Sequence, residues 1–297
     1  MSHPSAALAR SVVAAALPQE PGPDVRPVDE GGEHSTWWVG ERHVLRLALD
    51  AGGSVRQRRE VALRDAVRGR VGEVGVPASV ASGVWAPGLT YTLDTRIPGA
   101  SAEVRGVSGA GERDLAALLS GLASFPGAEA EALGVPVERP RALDDVRKQA
   151  MDAARQLADG GEAERELPGR LAGQLTGRAT EPVAATAPAL VLTHCDLKGE
   201  HLLVTSAGRV AGVLDWTDAA VADPAEDVAG LALSVGAPAA VRVAALAGHS
   251  PATAARGVAL ARCDTLIRLA DRLYGTDDSP LPLLRVQRER AWAALPA

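Results

Sequence analysis

Residues 190–204 read LVLTHCDLKGEHLLV and residues 212–218 read GVLDWTD. Short apolar runs at 190–193, 202–204 and 210–214 have the length and composition of strands, and Thr205-Ser206-Ala207-Gly208-Arg209 joins the last two as a hairpin would. The runs enclose a polar loop with His194, Asp196, Lys198 and His201, and the third run ends on Asp215. Phosphoryl transfer needs a carboxylate to orient and deprotonate the attacking hydroxyl, together with ligands for the Mg²⁺ that accompanies a nucleoside triphosphate. Asp196 suits the first role, and His201 and Asp215 suit the second.

Upstream, 36–39 and 42–49 are β-branched, aromatic and apolar runs around Gly40-Glu41, a hairpin pattern, and 77–85 and 89–97 read as two further strands. Residues 57–71 have helical spacing, and 1–17 read as a first amphipathic helix rather than a leader. From Glu112 the texture becomes Ala-, Leu-, Arg- and Glu-rich, with helices expected at 112–124, 143–159 and 162–175. Asp223-Pro224 and Ser250-Pro251 are helix starts, predicting helices over 224–235 and 251–274, with a last one over 284–295. The expected fold is α+β and bilobal, with a small β-rich N-terminal lobe over 1–100 that holds nucleotide. A larger, mainly helical lobe over 101–297 follows, carrying catalysis and substrate binding.

The net charge is −6, and the first 101 residues balance 11 acids against 11 bases, so the whole acidic excess lies beyond them. A basic cluster of the kind that grips nucleic acid is missing, and the excess favours a cationic ligand. Two cysteines, Cys195 and Cys263, are too few for a disulfide framework and fit a reducing cytoplasm. The Ala-rich stretch 228–247 is interrupted by Gly236, Pro238 and Arg242, which argues against a membrane span. A monomer or weak dimer is expected.

His194, Asp196 and the Asp215-Trp216 pair resemble the aminoglycoside and macrolide phosphotransferases, relatives of the protein kinases. In that family the loop reads His-Gly-Asp, an Asn follows five residues after the Asp, and a strand then ends in Asp-Trp or Asp-Phe. The resemblance implies a kinase-like fold, Asp196 as catalytic carboxylate and Asp215 as metal ligand. Cys195 departs from the family Gly, and His201 departs from the metal-binding Asn. The macrolide branch is similar at both His201 and the run Asp215-Trp216-Thr217-Asp218-Ala219. Lys198, one of two lysines in the chain, stands where protein kinases have a lysine that reaches the transferred phosphate. Before Lys148 no lysine exists, so the strand cation that holds the donor phosphates is an arginine or is absent; the similarity of His43-Val44-Leu45-Arg46-Leu47 to the Val-Leu-Arg segment of the macrolide kinases implies Arg46, with Glu60 of the next helix as its partner. Gly31-Gly32-Glu33-His34-Ser35 is placed as the phosphate-covering loop, making Ser35 a nucleotide contact. Arg96 and Ile97 fall at the inter-lobe hinge that meets the purine of ATP or GTP.

The expected activity is transfer of the γ-phosphate to a hydroxyl of a small cationic antibiotic, a macrolide, an aminoglycoside or a tuberactinomycin-type peptide, conferring resistance. A metabolic kinase for choline, homoserine or a sugar is the alternative, as is a non-catalytic nucleotide-binding pseudokinase suggested by His201 and Arg46. A protein kinase is disfavoured, because Asp223-Pro224 opens a new helix too soon after Asp215 to leave an activation loop. Asp218 beside the metal ligand is a candidate substrate contact. So are Asp264 and Asp271, which share a helix face with Arg268 and would form an acidic edge for an ammonium group.

Overall fold

The computed structural model describes residues 4–19, 22–28, 34–161 and 189–295. The helix expected over 162–175 and the Gly31-Gly32-Glu33 part of the phosphate loop lie outside them. Helix α1 (Ala6–Ala16) is capped by Ser5, whose hydroxyl accepts the Leu8 N–H. Strands β1 (Val25–Pro27), β2 (His34–Val39), β3 (His43–Ala48), β4 (Ser79–Ala86) and β5 (Leu89–Thr95) form one antiparallel sheet in the order β1-β2-β3-β5-β4. Register places Arg46 opposite Thr36 on one side and Thr92 on the other.

Helix α2 (Ala51–Val67) begins six residues before the expected start, because the Asp50 carboxylate accepts the Gly53 N–H and draws Gly52-Gly53 into the first turn. One face of the sheet packs with α1 through Val13, Trp37, Leu45, Leu47 and Leu93. Leu63, Val67, Val71, Val74 and Val76 instead belong to the larger core of the helical lobe. Residues 63–76 therefore tie the two lobes together from within the first hundred residues.

Strand β6 (Ala100–Ser101) follows the hinge and pairs with β8 (Leu202–Val204), which pairs with β9 (Val210–Val213). Strand β7 (Val191–Thr193) pairs with β10 (Ala220–Ala222). Around these ribbons lie α3 (Gly109–Ala123), α4 (Gly127–Ala132), α5 (Leu143–Asp159), α6 (Ala225–Ser234), α7 (Ala237–Leu246), α8 (Pro251–Tyr274) and α9 (Leu281–Ala291). The 228–247 stretch is two helices, because Gly236 takes φ +92° and Pro238 starts α7. The last helix starts three residues early, directly after Pro280.

Gly75 and Gly212 meet where the sheet lobe rests on β9. The Gly75 N–H donates to the Ala211 carbonyl at 3.0 Å, and the Val213 N–H donates back to Gly75 at 2.9 Å. A Cβ on either glycine would come within 2.7 Å of the facing carbonyl oxygen, so only glycine permits this junction. Among the described residues no helix is long and apolar enough to cross a membrane.

Candidate active site

The loop after β7 carries Asp196 and is held from below by α6. Both oxygens of the buried Asp227 carboxylate take main-chain donors, Oδ2 the His194 N–H at 3.0 Å and Oδ1 the Cys195 N–H at 2.8 Å. One turn on, Gly230 lets the loop lie directly on the helix: a Cβ there would sit 3.0 Å from the Leu197 nitrogen. The Ser234 hydroxyl then donates to the Leu197 carbonyl at 2.5 Å. Positions 227, 230 and 234 form one stripe of a helix, so α6 presents an acceptor, a gap and a donor in register with the loop. Burial pushes the Asp227 carboxyl up to about 7, although its two N–H donors work the other way.

His194 is fully buried beneath the loop, edge-on to Trp216 at 4.8 Å. Its Nδ1 accepts the Asp196 N–H at 3.3 Å, so its Nε2 carries the proton and donates to the Leu214 carbonyl at 3.0 Å. The ring thereby joins the Asp196 backbone to the end of the strand that delivers Asp215. Burial, reinforced by His201, pushes its pKa down to about 4, which keeps it neutral. Cys195 adopts φ +63°, the left-handed region that glycine enters without strain. Burial, then Asp227, raises its thiol to about 12. It is a packing residue and no nucleophile.

Above this floor the functional groups converge. Lys198 Nζ lies 2.7 Å from Asp196 Oδ1. His201 Nδ1 lies 2.9 Å from the Asp196 carbonyl, an acceptor only, so that nitrogen holds the proton. Its Nε2 stands 3.8 Å from Asp215 Oδ2 and 3.8 Å from Glu200 Oε1. With its proton off, that nitrogen and the Asp215 oxygen facing it make a two-donor set. Of this set the Asp215 oxygen matches hard Mg²⁺, which binds through one or two carboxylates, waters and nucleotide phosphates, and the imidazole nitrogen is a poorer match than an oxygen. Among the described residues no cluster of three or more His, Cys, Asp or Glu side chains could cage a metal by itself.

From the sheet lobe, Arg46 Nη1 meets Glu60 Oε1 at 2.6 Å. Arg64, one turn along α2, approaches the same oxygen at 3.7 Å and grips Asp94 with two nitrogens at 3.1 Å each. These four side chains are all largely buried and sum to zero charge. Burial disfavours the Arg46 cation, but Glu60, Asp94 and Asp215 hold its pKa above the ordinary range. Asp215 is itself opposed by burial and held below the usual carboxylate range by Arg46, His201 and Thr217. Arg46 on one lobe and Asp215 on the other thus share one electrostatic site.

A family model described as "Phosphotransferase enzyme family" matches residues 24–261. The chain belongs to the phosphotransferase enzyme family. Viomycin phosphotransferase of Streptomyces vinaceus is 34% identical over 172 residues, 53% of this chain and 55% of that protein, so the match spans about half the relative's length. The GDP complex of wild-type aminoglycoside 2'-phosphotransferase-IIIa superposes with TM-score 0.69 at 21% identity, over 95% of this chain and 96% of that chain. The apoenzyme of macrolide 2'-phosphotransferase MphH from Brachybacterium faecium superposes with TM-score 0.59 at 21% identity, over 97% and 99%. The fold is the expected α+β, bilobal, kinase-like one.

Within this family member the remaining expected contacts fall unevenly. Ser35 is on β2, its hydroxyl accepting the Trp37 indole N–H at 2.9 Å. Arg96 turns outward: its guanidinium covers the Trp38 ring at 4.4 Å and its N–H is given to the Arg42 carbonyl at 2.7 Å. That N–H is not left for a purine. Ile97 is half-buried, its side chain lying over Gly75 and Gly212. Asp218 is exposed in the turn that begins at Asp215.

Asp264 and Asp271 do not form the expected acidic edge. Both Asp264 oxygens are taken by Arg141, at 2.8 and 3.1 Å, and the same guanidinium binds both oxygens of Glu226. Asp271 accepts the N–H groups of Thr276 and Asp277 and so closes the C-terminal end of α8. The intervening Arg268 is committed to Ser279, Gln287 and Asp277. Sequence reasoning also passed over Asp227, Gly230, Ser234, Arg64 and Glu200. The only signal for the first three was their spacing, small or polar residues at i, i+3 and i+7 in an apolar helix.

Proposed function

We propose that this phosphotransferase moves the γ-phosphate of ATP or GTP to a hydroxyl of a cationic antibiotic, with basic peptides of the viomycin type the first acceptors to test. The observation that carries the reading is the convergence of Asp196, Lys198 and His201, on a loop docked to α6, with Asp215 just beyond β9, opposite Arg46. Asp196 orients the acceptor hydroxyl and takes its proton. Lys198, now lying on Asp196, would swing onto the transferred phosphoryl group. Arg46, aimed by Glu60, steadies the donor phosphates, and His201 Nε2 with Asp215 Oδ2 would hold Mg²⁺. Bound there, the ion would neutralise charge on the phosphate oxygens.

The 34% identity to viomycin phosphotransferase and the acidic excess beyond residue 101 both favour a basic acceptor. Added phosphate brings nearly two negative charges to such a drug, enough to spoil a site shaped for its cationic form. Resistance follows from that chemistry, and two cysteines with no disulfide framework fit a reducing cytoplasm. The 1–100 segment supplies the donor side and 101–297 the acceptor side.

Radiolabelled transfer from γ-labelled ATP and GTP, run against viomycin-type peptides, aminoglycosides and macrolides, tests the reading. Label on at least one class, lost in Asp196→Ala, is the expected result. Folded protein that binds nucleotide and labels none of the three would refute it.

A further inference from the structure

We propose that Thr217 is a positioning residue that sets the metal-ligand turn from the same glutamate that aims Arg46. The proposal rests on the reading of Asp215 and His201 as the metal ligands. Glu60 uses its two oxygens in two directions. Oε1 takes the Arg46 guanidinium at 2.6 Å, and Oε2 takes the Thr217 hydroxyl at 3.3 Å across the lobes. The residue before it, Arg59, donates to the Thr217 carbonyl at 2.6 Å. Two consecutive residues of α2 therefore hold the side chain and the main chain of one buried threonine.

The held residue borders Asp215 directly, since the Thr217 N–H approaches Asp215 Oδ1 at 3.4 Å. Asp215 needs such support for two reasons. Its φ of +57° is left-handed, a conformation that a non-glycine residue keeps only where its surroundings over-determine it. Its carboxylate also repels Glu60, and the threonine hydroxyl stands between the two acids. A residue that donated to neither would leave them free to separate and the turn free to relax. Thr217 thereby makes α2 the common reference for the donor-phosphate ligand and the metal ligand, and a shift of α2 moves both together.

Thr217→Val keeps the shape and the main-chain carbonyl and removes only the hydroxyl, whereas Thr217→Ser restores it. Calorimetry of ADP binding with and without Mg²⁺ reads the metal turn independently of turnover. The Val variant should bind metal-free ADP within about twofold of the parent and lose about tenfold of the strengthening that Mg²⁺ gives. Its kcat should fall about tenfold with the acceptor KM unchanged, and Ser should recover both. Parental Mg²⁺ strengthening in the Val variant, or a Ser variant as impaired as Val, overturns the proposal. Should Val fail to fold by circular dichroism, Arg59→Gln and Ser decide: weakened Mg²⁺ strengthening in Arg59→Gln beside a normal Ser supports the proposal, and any other pair overturns it. A parent protein that binds Mg²⁺-ADP yet modifies no antibiotic removes the acceptor reading alone and leaves this comparison in force.

Discussion

The Cys195 N–H points at Asp227 Oδ1 from 2.8 Å, while the other oxygen of that carboxylate holds the N–H of the preceding residue. One buried side chain thus satisfies two adjacent donors that no strand or helix could reach. Asp227→Ala orphans both, and unpaired buried donors cost about 1–3 kcal/mol each. We expect a stability loss of about 2–4 kcal/mol in urea unfolding and a larger proportional loss of kcat than of nucleotide affinity. Asp227→Asn, which keeps one acceptor oxygen, should fall between Ala and the parent; an Ala variant with unchanged midpoint and turnover would contradict the docking role.

Gly230 makes the converse case, because it works by lacking a side chain. Alanine would favour the helix by up to about 1 kcal/mol, but its Cβ would sit 3.0 Å from the Leu197 nitrogen and 3.2 Å from its Cα. The loop must give by a few tenths of an ångström, and Asp196 is the next residue back. Gly230→Ala should therefore melt within a few degrees of the parent while kcat falls about tenfold. Full turnover in this variant would show that the loop tolerates the shift.

The clustering of Asp196, Lys198, His201 and Asp215 was legible because they interrupt short apolar strands, and polar residues in such places demand a reason. The starts of α6 and of the long α8 announced themselves through Asp223-Pro224 and Ser250-Pro251. What holds the loop was not legible, since Asp227 and Ser234 act on residues more than thirty positions away and pairings at that distance leave no local pattern. The partners of the candidate substrate edge were hidden for a related reason. Asp264 and Asp271 do share a helix face, but spacing says nothing of Arg141, 123 residues upstream, which fills the Asp264 carboxylate. Strand β3 was placed correctly, yet the third and fourth members of its charge group, Arg64 and Asp94, emerge only from how α2 packs on the sheet.

His194 gives the pH dependence. Its folded pKa is lowered to about 4, first by burial and then by His201, whereas the unfolded chain titrates near the ordinary value of about 6.5. Between those values the unfolded state binds more protons, so stability rises with pH. The contribution is complete above about pH 6.5 and is lost as pH falls toward 4, on the order of 3 kcal/mol at the far end. Carboxylates titrate in the same range, so the measurement is a difference: the stability gap between the parent and His194→Gln, from urea unfolding at pH 7, 5.5 and 4.5. The gap should narrow steadily with acid. A constant gap would mean that the ring is not held neutral.

Glu60 stands between two cations, Arg46 at 2.6 Å and Arg64 at 3.7 Å, and is itself almost wholly buried. Burial opposes its charge, yet the two guanidinium groups hold its pKa below the usual carboxylate range. Removing one member of a buried, paired set costs about 3–5 kcal/mol, because the partners keep their charge without compensation. Glu60→Gln should therefore destabilise the sheet lobe by more than Arg46→Ala does, since the first leaves two cations facing each other and the second leaves Glu60 still paired with Arg64. Nucleotide binding should rank the other way. Arg46→Ala removes the phosphate ligand itself and should raise the nucleotide KM at least about tenfold, while Glu60→Gln misdirects that ligand and lowers affinity less. Melting curves and nucleotide titrations on the two variants test both rankings, and a shared ranking in the two measurements would reduce Arg46 to a structural arginine.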